Sequence, residues 1–140
     1  MGLPWTISEL HPLLVHFPIA LFSSGLLFDI LGVTFDNREL KNTGFWMMAL
    51  GLVALLFTIC SGLLAFIELG SIKDLSQFTH GLTELIASFL FIILFWMRIQ
   101  YQMEFRFSEL KRKLYFTLHI LAVGLMFYGA HLGAKSSGRI

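Results

Sequence analysis

The sequence predicts an all-α fold: an integral membrane four-helix bundle, one domain over residues 1–140, with both termini on the outer, periplasmic side. Three observations predict it. The 140 residues are 56% hydrophobic and 14% charged, with a mean hydropathy of +0.77, an apolar excess that a soluble fold has no interior to hide. Four apolar stretches are each long enough to cross a hydrocarbon core about 30 Å thick. The breaks between them carry polar turn chemistry.

The first helix is expected over residues 11–35. Pro12 suits a helix start, whereas Pro18 falls early enough to kink the helix just after His16. Residues 1–9 lack the basic segment of a cleavable signal peptide, so this helix is expected to stay in the mature protein. "FDNRELKN", residues 35–42, ends it. The second helix follows over residues 43–69, and "ELGSIKDLSQ" offers Gly70 as a stop with Ser71 or Ser76 as the next N-cap. The third covers residues 76–100. "EFRFSELKRK" then connects to the fourth, over residues 113–133. No internal repeat is evident.

Orientation follows from short-loop Lys and Arg. Arg38, Lys41, Arg98, Arg106, Lys111, Arg112 and Lys113 lie on the side of the first and third connections, against Lys73, Lys135 and Arg139 opposite. That places the termini outside the cytoplasm. Trp5 near one face and Trp46 and Trp96 near the other fit interfacial aromatic belts. A net charge of +1 gives no field for nucleic acid. Cys60 has no partner for an internal disulfide, and no Cys-x-x-Cys-His offers covalent haem attachment.

Histidine carries the functional signal. With this topology His11, His16, His80 and His131 fall within about two turns of the outer face, while His119 stands apart near the cytoplasmic end. At 100° per residue His16 shares a stripe with Pro12, Ala20, Ser23, Leu27 and Ile30. His11 points away, toward the side of Pro18 and Phe22, as an interface residue. His80 stacks over Glu84, Ala87 and Phe91, and Glu84 is an ionisable group inside the membrane that needs a partner. His131 stands over Tyr128, Phe127, Gly124 and Ile120. Gly129 and Gly133 lie on the opposite face of that helix, as a packing or dimerisation pair that leaves a homo-oligomer open. The second helix carries Gly51, Ala54, Thr58, Ser61, Gly62 and Ala65 on one face, either for close packing or for a planar cofactor. Cys60 lies off that stripe.

Two imidazoles from different helices, across a gap lined by small residues and walled by Phe, suit one b-type haem. The expected ligands are His16 with His80 or His131. Glu84 orients a ligand, and Ala20, Ser23 and Gly124 line the site. A three-histidine site with Glu84 for zinc or another transition metal is a second reading. The third is a cofactor-free accessory or scaffold subunit whose histidines bond across the bundle. His119 is expected to pair with Asp29. A second haem there would need another histidine at that level.

"LHPLLVHFPIALF" (residues 10–22), "THGLTEL" (residues 79–85) and "GAHLGAK" (residues 129–135) resemble, in order, a family of bacterial four-helix membrane proteins, domain of unknown function 2231. The resemblance covers all four helices and implies that His11, His16, His80 and His131 occupy the family's histidine positions. Ala134 departs from the family's Leu-Gly-Gly-like element. Members are often fused to c-type cytochrome domains, which implies a membrane electron-transfer role. The expected task is to pass electrons between the quinone pool or a membrane oxidoreductase and a periplasmic c-type cytochrome. The chain would then be a non-catalytic, lipid-embedded subunit of a larger redox complex.

Overall fold

Every residue of the four elements prefers helix or tolerates it in lipid, because a segment in hydrocarbon must satisfy its backbone groups internally. The structure, a computed structural model, describes residues 7–69, 75–100 and 108–136. Its helices are α1 (Ile7–Thr34), α2 (Arg38–Leu69), α3 (Leu75–Gln100) and α4 (Glu109–Ser136). All four are long and apolar enough to cross a membrane. They run up-down-up-down, α1 packed closely on α2 and α3 on α4, with looser α1–α4 and α2–α3 seams. Trp46 and Trp96 are exposed, as belt residues are; Trp5 lies outside the described residues.

Three boundaries differ from expectation, each for a local reason. Helix α1 begins at Ile7, so Pro12 lies inside it. Pro18 also lies inside, and its missing N–H frees the Leu14 carbonyl one turn back. Thr58 Oγ1 on α2 lies 3.3 Å from that carbonyl and 3.1 Å from its own Ala54 oxygen, so its proton is shared between them. Helix α2 starts five residues early because Asn37 caps it, its Oδ1 accepting from Glu39 N at 2.9 Å and Leu40 N at 3.2 Å. Helix α4 starts at Glu109 after Ser108, whose carbonyl accepts from Arg112 N at 3.0 Å.

Between α1 and α2 the chain turns in three residues. Asn37 N bonds Gly32 O at 3.0 Å, Asp36 N approaches Val33 O, and Asp36 sits at φ 46°, the left-handed residue of a Schellman stop. Lys41 reaches back to Asp36 at 2.6 Å. That bond and the charge behind it hold the Asp36 carboxyl below the ordinary carboxylate range. The tie therefore persists above that range and is lost only as pH falls through the lowered value.

Polar groups fill much of the interior while apolar side chains such as Phe17, Leu56, Ile67, Phe89 and Ile120 face outward. At the end carrying Arg38, Lys41 and Arg98, called here the basic end, Arg98 Nη2 on α3 meets Asp29 Oδ1 on α1 at 2.9 Å, both side chains 0% exposed. The same nitrogen donates to the Lys41 carbonyl on α2 at 2.9 Å, and Tyr115 of α4 donates to Asp29 Oδ2 at 2.6 Å. All four helices thus meet at one carboxylate and one guanidinium. Gly44 makes the room, since a Cβ there would overlap the Asp29 carboxylate.

An unexpected regularity runs up the bundle axis. His11 faces His80, Phe22 stacks on Phe91 and Asp29 pairs with Arg98, each partner 69 positions on from the other. On the other two helices Gly44, Met48, Gly51, Leu55, Thr58 and Gly62 correspond, 71 positions on, to Tyr115, His119, Ala122, Met126, Gly129 and Gly133. The two hairpins thus set their inward residues at matching heights about a pseudo-two-fold axis along the helices.

Replacing one member of the buried pair, as in Asp29→Leu or Arg98→Met, is expected to cost about 3–5 kcal/mol by stranding the other charge. The Asp29→Leu/Arg98→Met/Tyr115→Phe protein is expected to recover most of that loss. Thermal unfolding of the detergent-solubilised proteins checks this; costs that simply add would show that the pair is not coupled.

Candidate functional site

The inward stripe of α1 runs through His11, Val15, Pro18, Phe22, Gly25 and Asp29, spacings of three and four that keep one face of a helix on the axis. The corresponding stripe of α3 runs through His80, Ala87, Phe91, Leu94 and Arg98. At the end opposite the basic cluster these stripes bring the His11 and His80 rings to 6.3 Å between centroids, with planes 69° apart. They approach from diagonally opposite helices.

Each imidazole is held by its own hairpin. Ser61 Oγ donates to the Thr58 carbonyl at 2.8 Å, which leaves the oxygen to accept from His11 Nδ1 at 2.9 Å. His80 Nδ1 donates to the Gly129 carbonyl at 2.7 Å. The network therefore makes Nδ1 the donor on both rings and leaves Nε2 outside these bonds. Outer hydrogen bonds of this kind fix tautomer and ring orientation in histidines that bind metal. Two glycines at equivalent positions make the space: a Cβ on Gly62 would lie 3.0 Å from His11 Cε1, and one on Gly133 would lie 3.0 Å from His80 Cε1.

One turn deeper on α3, Glu84 lies against α4. A Cβ on Gly129 would meet Glu84 Oε1 at 2.5 Å and Thr83 Oγ1 at 2.9 Å. Glu84 Oε1 is buried without a hydrogen-bond partner, whereas Thr83 bonds back to the His80 carbonyl at 2.8 Å.

The expected site is reorganised accordingly. His80 and Glu84 share the inward side of α3 with Ala87 and Phe91, as their spacing implies. His16 does not join them: it is exposed, and its Nδ1 bonds the Pro12 carbonyl of its own helix at 2.6 Å. His131 is exposed too, with Tyr128, Phe127, Gly124 and Ile120 on the same outer face of α4. Ala20 is exposed and Ser23 partly buried. The physical reason is the choice of face. The axis runs beneath His11 on α1 and beneath Gly129 and Gly133 on α4, stripes set aside in the sequence as interface and packing. Gly129 and Gly133 do pack, but against α3 and inside the site. The α2 stripe packs on α1, with Cys60 exposed off it.

Among the described residues no group of three His, Cys, Asp or Glu gathers to hold a metal ion, so the three-histidine arrangement with Glu84 does not form. His119 does not bond Asp29, whose oxygens are taken by Arg98 and Tyr115. The signal that could have singled out His11 is the common 69-residue spacing, readable only once the pairs are seen.

Gly129→Ala is expected to force α3 from α4 and lower stability by about 1–3 kcal/mol. Gly62→Ala and Gly133→Ala are expected to cost less while displacing one imidazole each. Thermal unfolding with ring-nitrogen NMR reads both effects; an unmoved His80 signal in Gly133→Ala would contradict the packing described.

No curated protein and no solved structure matches the chain. Residues 8–139 match the family model of DUF2231, described as a predicted membrane protein. With four apolar helices spanning nearly the whole of that match, the chain belongs to the DUF2231 family of multi-pass membrane proteins.

Proposed function

We propose that the chain is a membrane electron-transfer subunit that holds one b-type haem between His11 and His80. The observation that carries this reading is the pair itself: equivalent residues on α1 and α3, facing across the pseudo-two-fold axis, each with Nδ1 committed and Nε2 outside that bond. The fit is in number. A haem iron takes only two protein ligands because the porphyrin supplies the other four nitrogens. Bound there by His11 and His80, haem would supply one-electron exchange.

Ser61 and the Gly129 carbonyl would hold the two rings, and Gly62 and Gly133 would leave them room. Glu84 would lie near enough to tune the site's charge. On the orientation expected from Lys and Arg placement, the site faces the periplasm of a bacterial inner membrane, where a c-type cytochrome or a respiratory complex subunit is the natural redox partner.

A cofactor-free scaffold is the alternative, favoured by one observation: both rings already have a hydrogen-bond partner within the protein. A reduced-minus-oxidised visible spectrum of protein taken from haem-replete membranes separates the two. A b-type α-band lost in His11→Ala and in His80→Ala, and kept in His16→Ala and His131→Ala, is expected. A featureless spectrum in membranes and after purification would leave the scaffold.

A further inference from the structure

The core holds two ionisable side chains with buried polar atoms that make no hydrogen bond, His119 and Glu84, and one aromatic contact divides them. Phe22 and Phe91, both fully buried, stack face to face at 3.6 Å and 5° across the pseudo-two-fold axis. On the basic side of that stack lies His119 of α4, 0% exposed, edge-on to Phe91 at 5.6 Å and to Tyr115 at 5.6 Å. Neither of its ring nitrogens has a hydrogen-bond partner; the Phe22 backbone faces the ring without bonding geometry. A buried imidazole with both nitrogens unpartnered is rare, because each such group forfeits its hydration without recompense. Beyond it Tyr115 bonds Asp29 at 2.6 Å, Asp29 pairs with Arg98, and Arg98 reaches the Lys41 carbonyl near the turn where Lys41 meets exposed Asp36. On the other side of the stack stand Glu84, with its buried and unpartnered Oε1, then His80 and His11.

We propose that the bundle axis is a gated proton path: Asp29, Tyr115 and His119 on the basic side and Glu84 on the histidine side, separated by the stacked Phe22–Phe91 pair. Groups that pass protons must accept at one atom and release at another. A neutral imidazole with both nitrogens free does this: a proton added at one nitrogen is balanced by loss of the proton from the other, and the ring is left neutral in the exchanged tautomer. Chains of His, Asp and Glu facing a bundle interior are the usual form of membrane proton relays. The charged and titratable groups that face His119 and its side of the stack are Asp29 from α1, Lys41 from α2, Arg98 from α3 and Tyr115 from α4. Asp29 offsets Arg98, so a proton entering this half does not meet an unbalanced cation. The closed stack offers no hydrogen-bonding atom, so a proton crosses only when the rings part. This inference stands on residues separate from the haem ligands' bonds and does not require haem.

The test uses the full chain in liposomes containing a pH-sensitive dye, with a potassium diffusion potential imposed by valinomycin. The native protein is expected to be proton-tight. Phe91→Ala is expected to admit protons several-fold faster, without admitting sodium, and either His119→Phe or Glu84→Gln added to it is expected to restore tightness. Phe91→Leu and Phe22→Leu, milder changes at the same contact, are expected to leak in the same sense if Phe91→Ala fails to keep its helical circular dichroism. The proposal is overturned if the folded stack variants stay as tight as the native protein, if their leak is unchanged by His119→Phe, or if it carries sodium equally.

Discussion

A carboxylate and a guanidinium sealed inside a lipid-embedded bundle tolerate very little freedom. Desolvating the two charges is offset only while the Asp29–Arg98 bond, the Tyr115 hydroxyl and the Lys41 carbonyl all stay in place. Because those four groups come from four helices, the cluster sets the mutual register of the whole bundle at one level. The consequence travels along α1 and α3, which run in the same direction. His11 lies 18 residues before Asp29 and His80 lies 18 before Arg98, five helical turns at about 3.6 residues each. Both rings therefore return to the axis at the same height.

The pseudo-two-fold arrangement gives the two ends of the axis different chemistry. At the histidine end the equivalent positions carry the same residue, which suits a ligand needing two like donors. At the basic end they carry opposite charges, which suits a lock. The hairpins are also unequal there: Gly44 leaves space for the Asp29 carboxylate, while its counterpart Tyr115 supplies the hydroxyl that bonds it. Met48 packs where its counterpart His119 places an imidazole. The bundle axis thus presents a symmetric pair, an aromatic stack and an asymmetric ion pair in order along its length.

Small residues serve this arrangement by controlling distance between helices. Gly62 and Gly133 admit the two imidazoles, Gly129 admits Thr83 and Glu84, and Gly51 admits Phe22. In lipid, where apolar side chains gain little by leaving their surroundings, close backbone approach and interhelical hydrogen bonds do the holding. Thr58 shows how closely the two are joined, since it sits where the carbonyl freed by Pro18 needs a donor.

Length, hydropathy and turn chemistry determined the number of helices and the order in which they cross the membrane, because crossing lipid depends on each segment's own composition. The inward side of α3 was legible as well, since His80, Glu84, Ala87 and Phe91 combine a helical spacing with polar groups that avoid lipid. Which faces of α1 and α4 turn inward was decided only by the tertiary structure. Both helices carry apolar residues all round, and histidine at a helix end is tolerated on either side, so periodicity along one helix does not choose between His11 and His16 or between Gly129 and His131. The choice is made between helices. Asp29 must face Arg98 and Tyr115, Gly129 must let His80 and Glu84 approach, and once those contacts are satisfied His16 and His131 are left outside.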